Sequence, residues 1–417
     1  MRILFLTENF PPETNAAATR VYERALYWVK DGHLVTVITS APNFPQGKLY
    51  AGWKNKWYQT EIHEGIRVVR IKTYIAANRG TTRRMLDFVS FMITAFFAGL
   101  FEKRPDVIAA TSPQFFAAVC GWALGSVRRI PFVFELGDLW PASIIAVGAM
   151  RPNFYLQLME KLELFLYRRS ASVAALTHAF KKNLIKRGIS ANKISVVING
   201  VDLWRYAPQS RDVNLAKAWD LENKFVFGYV GTHGMAHGLS NILDAAELLK
   251  HRDDIRFLFV GDGAERTALI AHAKKSQLNN IVFLPPQPKE MMPKVWSLCN
   301  VALVHLKNTP AFAEVIPSKM FEAMGMGLPV LMALPSGEAT EILEQDGAGI
   351  AIPPEDPKAL ADAVQQLCDD KTLLKKLQKQ SLAAAPLHSR KSQAQQMINV
   401  LTAAAEGRGG SVGRDAP

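Results

Sequence analysis

Cysteine is scarce: Cys120, Cys299 and Cys368 stand far apart in 417 residues and match no metal-ligand spacing. That usage excludes a disulfide scaffold and a zinc ribbon, and it fits a reducing compartment. Several catalytic signatures are missing too. The chain has no G-x-S-x-G elbow, no glycine-rich loop ending in Gly-Lys-Ser or Gly-Lys-Thr, and no H-E-x-x-H, so the motif-bearing hydrolases and P-loop nucleotidases drop out. No G-x-G-x-x-G follows the first apolar run, which argues against a Rossmann dehydrogenase. An Asp-x-Asp pair, which would bridge Mg²⁺ to a diphosphate, is also lacking. The opening MRILFLTENFPP lacks a charged n-region, a long apolar core and a small-residue cleavage site, and it reads as a first strand. No repeat recurs at solenoid periods.

What is present is basic and apolar. Lys and Arg number 49 against 37 Asp and Glu, a net charge of +12, and 49% of residues are hydrophobic. Two cores can be buried, and the cationic excess draws phosphates, whether on a nucleotide or on an anionic bilayer. Most basic clusters fall in the first half: Arg79 with Arg83-Arg84, Lys103-Arg104, Arg128-Arg129, Arg168-Arg169, and Lys181-Lys182 with Lys186-Arg187. None is a low-complexity tail.

Apolar β-branched runs alternate with helical patterns throughout, which predicts α/β architecture with parallel sheets. Strands are expected at 2–7, 33–39, 66–71, 107–110, 132–136, 173–176 and 194–198, and again at 225–230, 256–260, 281–284, 301–304 and 329–332. The polar stretch 202–220 divides two domains of similar size. Helices are expected at 19–31, with Thr19 a possible N-cap, at 241–250, and at 357–368, 371–385 and 390–405. The glycine-rich end after Glu406 has little to bury and is expected to be disordered. Residues 85–101 are apolar apart from Asp87, Ser90 and Thr94. They suit either a buried helix or one lying in a membrane interface with Arg83 and Arg84 on headgroups.

The candidate chemistry sits in loops past strand ends, where open α/β sheets bind ligands. The segment Thr7–Arg20 is rich in small residues around Asn15. Gly231-Thr232-His233-Gly234-Met235-Ala236-His237-Gly238 leaves backbone open to a diphosphate, with His233 and His237 as extra donors. Val260-Gly261-Asp262-Gly263 reads as a turn, and so does Asn199-Gly200-Val201-Asp202. Glu135 and Asp138 follow a first-half strand among apolar residues, where burial would raise a carboxyl pKa. Glu314 and Glu322, separated by seven residues, flank Pro317-Ser318-Lys319 ahead of Gly327-Leu-Pro329-Val330. Two carboxylates and one ammonium suit a polyhydroxylated ligand that carries phosphate.

On the run Glu314–Val330, with Asn199-Gly200-Val201-Asp202, the Gly231–Gly238 loop and Gly347-Ala-Gly349, nearly the whole chain resembles a retaining glycosyltransferase of family 4. Asp138-Leu-Trp-Pro141 and Pro317-Ser-Lys319 resemble most a bacterial subgroup that builds O-antigen, capsule and colanic acid and includes L-fucosamine transferases. The resemblance implies GT-B architecture: two Rossmann-like domains facing a central cleft, with an acceptor domain (1–205), a nucleotide-sugar domain (206–388), a helix returning to the first domain (389–406) and a tail (407–417). It implies transfer from a UDP-sugar, such as an N-acetylated deoxyhexosamine, to a polyprenyl-diphosphate-linked saccharide. Neither a metal nor a cofactor is expected, nor is nucleic acid. The protein would lie on the cytoplasmic face of the inner membrane.

By the same resemblance Glu322 holds the ribose and Glu314 the donor sugar. Lys319 and Ser318 act with Gly231, His233, Gly234 and His237 on the diphosphate. Asp138 stands where many members carry a histidine, and Asn15, Arg83 and Arg84 face the acceptor or the membrane. Histidines replace the family's usual Arg and Lys in the glycine loop, and Asn15-Ala-Ala-Ala18 replaces a double glycine. A sugar-nucleotide epimerase of the same fold and a non-catalytic polyanion binder remain alternatives.

Overall fold

The computed structural model describes residues 1–44, 46–76, 81–112, 114–139 and 153–407. The expected disordered tail lies, from residue 408, outside the described residues, as do Arg79 and the Trp140-Pro141 end of its motif. The chain divides into two compact units, Gly200–Ser389 and the remainder, Met1–Asn199 with the chain from Arg390 onward. The division falls at Asn199/Gly200, ahead of the expected 205/206. The reason is local: Asn199 accepts hydrogen bonds from Arg390 and Gln393 in the first unit, whereas Val201 bridges Ser389 in the second.

The first unit carries an eight-stranded sheet in the order β3-β4-β2-β1-β5-β6-β7-β8. Its strands are β1 (Arg2–Leu6), β2 (Leu34–Ser40), β3 (Tyr58–His63), β4 (Ile66–Ile71), β5 (Val107–Thr111), β6 (Phe132–Leu136), β7 (Ser172–Ala175) and β8 (Ile194–Val196). All pair in parallel except β3, which runs antiparallel to β4. The central strands are continuous apolar runs because helices cover both faces. The edge strand β3, Tyr-Gln-Thr-Glu-Ile-His, alternates exposed and half-buried, so it offered no apolar run to read.

The second unit has six parallel strands in the order β11-β10-β9-β12-β13-β14: β9 (Phe225–Val230), β10 (Ile255–Val260), β11 (Ile281–Leu284), β12 (Val301–His305), β13 (Val330–Ala333) and β14 (Gly349–Ile352). Here β14 was missed as a strand. Gly349 is required there, since a Cβ would lie 1.9 Å from Val330 O on the neighbouring strand. Gly349 of the Gly347-Ala-Gly349 pattern therefore serves sheet packing, and Gly347 sits at a positive-φ turn.

In each sheet the strand order reverses beside one strand. Chain order runs outward from β1 to β2 on one side and to β5 on the other, and likewise from β9 to β10 and to β12. Such switch points open a crevice past the carboxyl ends of the strands. The loops after β1 and β9 both start there.

Helix α1 (Ala16–Lys30) is capped by Asn15, whose side chain accepts from Ala18 N at 3.0 Å, so Thr19 lies inside the helix and is not its cap. Val21, Ala25 and Trp28 bury one face of α1 against the final helix, Arg390–Ala405, through Met397, Ile398 and Leu401. The Trp28 indole also donates to Ala394 O at 2.9 Å. Beneath this contact lies a charged layer. Arg390 pairs with Glu23 at 2.9 Å, and Glu135 pairs with Arg20 at 2.9 Å and with Arg24 at 2.7 Å, all buried. Glu135 corrects the sequence expectation. Burial alone would raise its carboxyl, but Arg24 and Arg20 outweigh that and hold it below the ordinary value.

Removing one member of a buried pair strands its partner. Arg390→Met is expected to destabilise the first unit by about 3–5 kcal/mol in urea unfolding. A loss under about 1 kcal/mol, the range of an exposed pair, would contradict the buried role.

Candidate functional site

The glycine loop after β9 is shaped by a second glycine turn. His233 N donates to Asp262 O at 2.8 Å, and Glu265 N donates to His233 O at 2.9 Å. A Cβ on Gly261 would lie 1.9 Å from Gly231 O, and one on Gly263 2.4 Å from His233 O. Val260–Gly263 is thus the structural turn expected, and its glycines let two loops lie backbone to backbone.

Lys319 opens the helix Lys319–Gly325 and reaches under this loop. A side chain on Gly231, where φ is +137°, would place its Cβ 3.0 Å from Lys319 Nζ. The ammonium lies 3.8 Å from the Tyr229 ring centroid, a cation–π contact. Nζ is buried and has no hydrogen-bond partner. Burial pushes it down to about 7, against the pull of Glu322. A buried amine with three donors and no acceptor is costly unless a ligand supplies one.

The histidines beside it carry no charge. Burial first, then Arg266 and Lys319, holds His233 at about 4. Burial and Lys319 hold His237 at about 3. His233 has no exposed surface and packs against Tyr229, Phe259 and Phe283, with both ring nitrogens unpartnered. It offers no donor at the surface of the loop. His237 Nδ1 lies 3.3 Å from Gly234 O, so it carries the proton and leaves Nε2 an acceptor. His305 donates from Nδ1 to His237 O at 2.7 Å and accepts at Nε2 from Asn241 at 2.8 Å, which fixes the loop's far end. Desolvation keeps both rings neutral, so each has a single N–H to donate: that of His237 is directed at Gly234 O, and both ring nitrogens of His233 are buried without a partner.

Glu322 sits one turn along the helix from Lys319, half-buried, with the Trp296 indole donating to it at 3.4 Å. Glu314 ends the turn Pro310–Glu314, half-buried. Gly337 backs that turn, since its Cβ would meet Ala313 O at 2.1 Å. Ser318 precedes the helix without a side-chain capping bond. Glu314, Ser318, Lys319, Glu322 and the Gly231–Gly238 loop all lie in the second unit. Arg266 was passed over in the sequence; its charge acts on His233, and its Nε is buried without a partner.

The first-unit candidates stand at three different elements. Asp138 follows β6 in a turn pinned by Ser112, whose hydroxyl accepts from Gly137 N at 2.9 Å. Asn15 spends its side-chain oxygen on the α1 cap. Arg83 and Arg84 lie exposed in the first turn of α2 (Thr81–Phe101). The basic flank beyond α2 is partly committed to capping: Arg104 donates to Arg128 O and Arg129 O, and Arg128 to Gly99 O and Glu102 O. Among the described residues no group of three His, Cys, Asp or Glu could hold a metal ion.

The comparisons with known proteins bear on this arrangement. Residues 212–383 match the model for glycosyl transferases group 1 and residues 17–205 the model for Glycosyltransferase Family 4. WcaI of Escherichia coli K12, named for colanic acid biosynthesis, is 27% identical over 380 residues, covering 88% of this chain and 92% of the relative. The Anabaena Alr3699/HepE structure in complex with UDP-glucose superposes with a TM-score of 0.73 at 20% identity, covering 97% of this chain and 100% of that one. Sucrose-phosphate synthase from Thermosynechococcus elongatus gives 0.76 at 18% identity, covering 95% and 97%. The fold is GT-B, two Rossmann-like parallel-sheet domains. The chain is a glycosyltransferase carrying a family 4 domain followed by a group 1 domain.

The buried ammonium makes a stability prediction. Below about pH 7 Lys319 is charged in both folded and unfolded chains, so its desolvation cost is complete. Above that pH the folded amine is neutral while the unfolded one stays charged, and the cost relaxes towards pH 10.5. Without ligand, Lys319→Met is expected to raise the melting temperature at pH 6 by about 2–4 °C or more, with a smaller gain at pH 9. An equal or larger gain at pH 9 would contradict the assignment.

Proposed function

We propose that the chain is a retaining, metal-independent glycosyltransferase. It moves a sugar from a UDP-sugar to a polyprenyl-diphosphate-linked saccharide in bacterial surface polysaccharide assembly. An N-acetylated deoxyhexosamine such as L-FucNAc is the preferred donor sugar. The observation that carries this reading is the unpartnered Lys319 ammonium against Gly231 at the switch point of the second sheet. Support for the substrates comes from the relatives' names, colanic acid for WcaI and UDP-glucose for Alr3699/HepE.

In this reading the diphosphate lies over the Gly231 backbone with Lys319 as its buried cation. Glu322, braced by Trp296, accepts from ribose hydroxyls, and Glu314 holds hydroxyls of the donor sugar. As the bond from the anomeric carbon to the diphosphate oxygen breaks, Lys319 stabilises the charge that develops on the leaving group. A cation already desolvated and aimed is worth more there than one in water. The acceptor hydroxyl adds to the same face of the sugar, and its proton passes to the departing diphosphate. No strong protein base is needed in that scheme.

A place at the cytoplasmic face of the inner membrane is part of the proposal, and α2 supports it. Among the described residues Arg83–Phe101 is long and apolar enough to cross a membrane, yet only 22% of its most apolar window is buried inside the protein. Leu86, Ile93, Phe97 and Phe101 are exposed, and their spacing puts them on one face with Arg83. Phe101 is 85% exposed. A cation beside an aromatic stripe suits the interface of an anionic bilayer.

Two experiments test these claims. Calorimetry with UDP is expected to show about tenfold weaker binding or worse for Lys319→Met. For the wild type, binding should weaken as pH rises from 7 to 9, because the free enzyme loses its ammonium above about 7. Equal affinities, or a flat pH profile, would remove Lys319 from the donor site. In flotation with phosphatidylglycerol vesicles, Phe97→Ser with Phe101→Ser is expected to abolish most recovery, and Arg83→Glu to lower it. Recovery equal to wild type would sink the membrane reading.

A further inference from the structure

The first sheet has its own switch point, beside β1, and the loop leaving it holds a group with no assigned role. Glu8 stands two residues past the end of β1. Its backbone is fixed on every side. Its N–H donates to Gln114 Oε1 at 2.9 Å, and its carbonyl accepts from Thr39 Oγ1 at 2.9 Å and Ser40 Oγ at 2.7 Å. Gln114 also takes the Thr7 hydroxyl at 3.1 Å and donates to Asn9 at 2.7 Å, so it staples the loops after β1 and β5 across the switch point. Nearby Glu13 is spent on structure, accepting from Asn9, Phe10 N, Asn43 N and Phe44 N.

The Glu8 side chain is different. The residue is 8% exposed, and Oε1 is buried with no hydrogen-bond partner. Burial raises the carboxyl well above its ordinary value; Asp87 and Glu13 add to the rise and Arg84 opposes it. Asp87 is itself pushed up to about 6, first by burial. Helix geometry separates the two arginines that the sequence paired. Arg83 lies on the exposed apolar stripe of α2, whereas Arg84 lies on the side of buried Phe91 and Ala95, as Asp87 nearly does.

We propose that Glu8, flanked by Asp87 and Arg84, binds a hydroxyl group of the saccharide that receives the transferred sugar. The chemistry selects that ligand. A neutral carboxyl presents one donor and one acceptor, the complement of a hydroxyl. A phosphate would meet Asp87 and Glu13, and a metal ion would lack a third ligand among the described residues. The location matches, since ligands enter parallel sheets at the switch point. The inference rests on the transferase reading above, because it needs a saccharide acceptor.

The test is saturation-transfer NMR with methyl glycosides of glucose, galactose and N-acetylglucosamine, with UDP present and its binding measured in the same samples. At least one glycoside is expected to bind the wild type. Glu8→Gln, which copies the neutral acid, should retain it, and Glu8→Ala should weaken it about tenfold. Wild-type binding should fall as pH rises through the raised titration of Glu8, and the fall should vanish in Glu8→Gln. That pH readout stands even if Glu8→Ala does not fold. Glycoside binding unchanged in Glu8→Ala, a pH fall that persists in Glu8→Gln, or no glycoside bound while UDP binds would overturn the inference. Failure of UDP itself to bind would instead overturn the donor assignment.

Discussion

A lysine ammonium buried over an aromatic ring, with no acceptor of its own, is the constraint around which the second unit is arranged. Lys319 lies close against Gly231, where a Cβ would come 3.0 Å from Nζ, and Gly231 can lie there only because Gly261 has no side chain. The neighbouring histidines are kept neutral, partly by Lys319 itself. The protein therefore carries a local cost at Lys319 that a bound anion would offset. Storing cost at a functional site and offsetting it with packing elsewhere is a common pattern. Here the offset is visible in the aromatic cluster of Tyr229, Phe259 and Phe283 that closes over the back of the loop.

The two sheets repeat one design with opposite chemistry. Each has a single reversal of strand order, beside β1 and beside β9. At the second lies an unpartnered base; at the first lies an unpartnered acid, Glu8. Neither Lys319 Nζ nor Glu8 Oε1 has a hydrogen-bond partner within the protein. A cation fits a diphosphate and a neutral acid fits a hydroxyl. In the first unit the ion pairs Arg390–Glu23 and Glu135 with Arg20 and Arg24 lie under α1, so the loop it follows rests on a rigid floor.

Much of this was legible in the sequence. Continuous apolar runs located twelve strands, and the Glu314–Glu322 segment drew attention to the helix that Lys319 opens. What escaped was of two kinds. The edge strand β3 alternates in polarity, and β14 is short and begins with glycine, so neither has the apolar run of a buried parallel strand. The second kind depends on three-dimensional neighbours. Glu135 looked like an acid raised by burial, but two arginines on α1, distant in sequence, reverse the sign. His233 and His237 read as phosphate donors of unstated charge, and it is burial and the neighbouring Lys319 that keep them neutral. Glu8 drew no notice because a glutamate after a strand is common. Its burial and its missing partner appear only when Gln114 and α2 are brought beside it.

The central claim is that Lys319 waits without a full charge and gains it from the ligand. Calorimetric titration with UDP at pH 8, repeated in buffers of different ionisation enthalpy, measures that directly. An amine near 7 when empty and raised by the diphosphate takes up close to one proton on binding. The account predicts that uptake in the wild type and its absence in Lys319→Met. Binding of UDP with no net proton exchange in the wild type would contradict it.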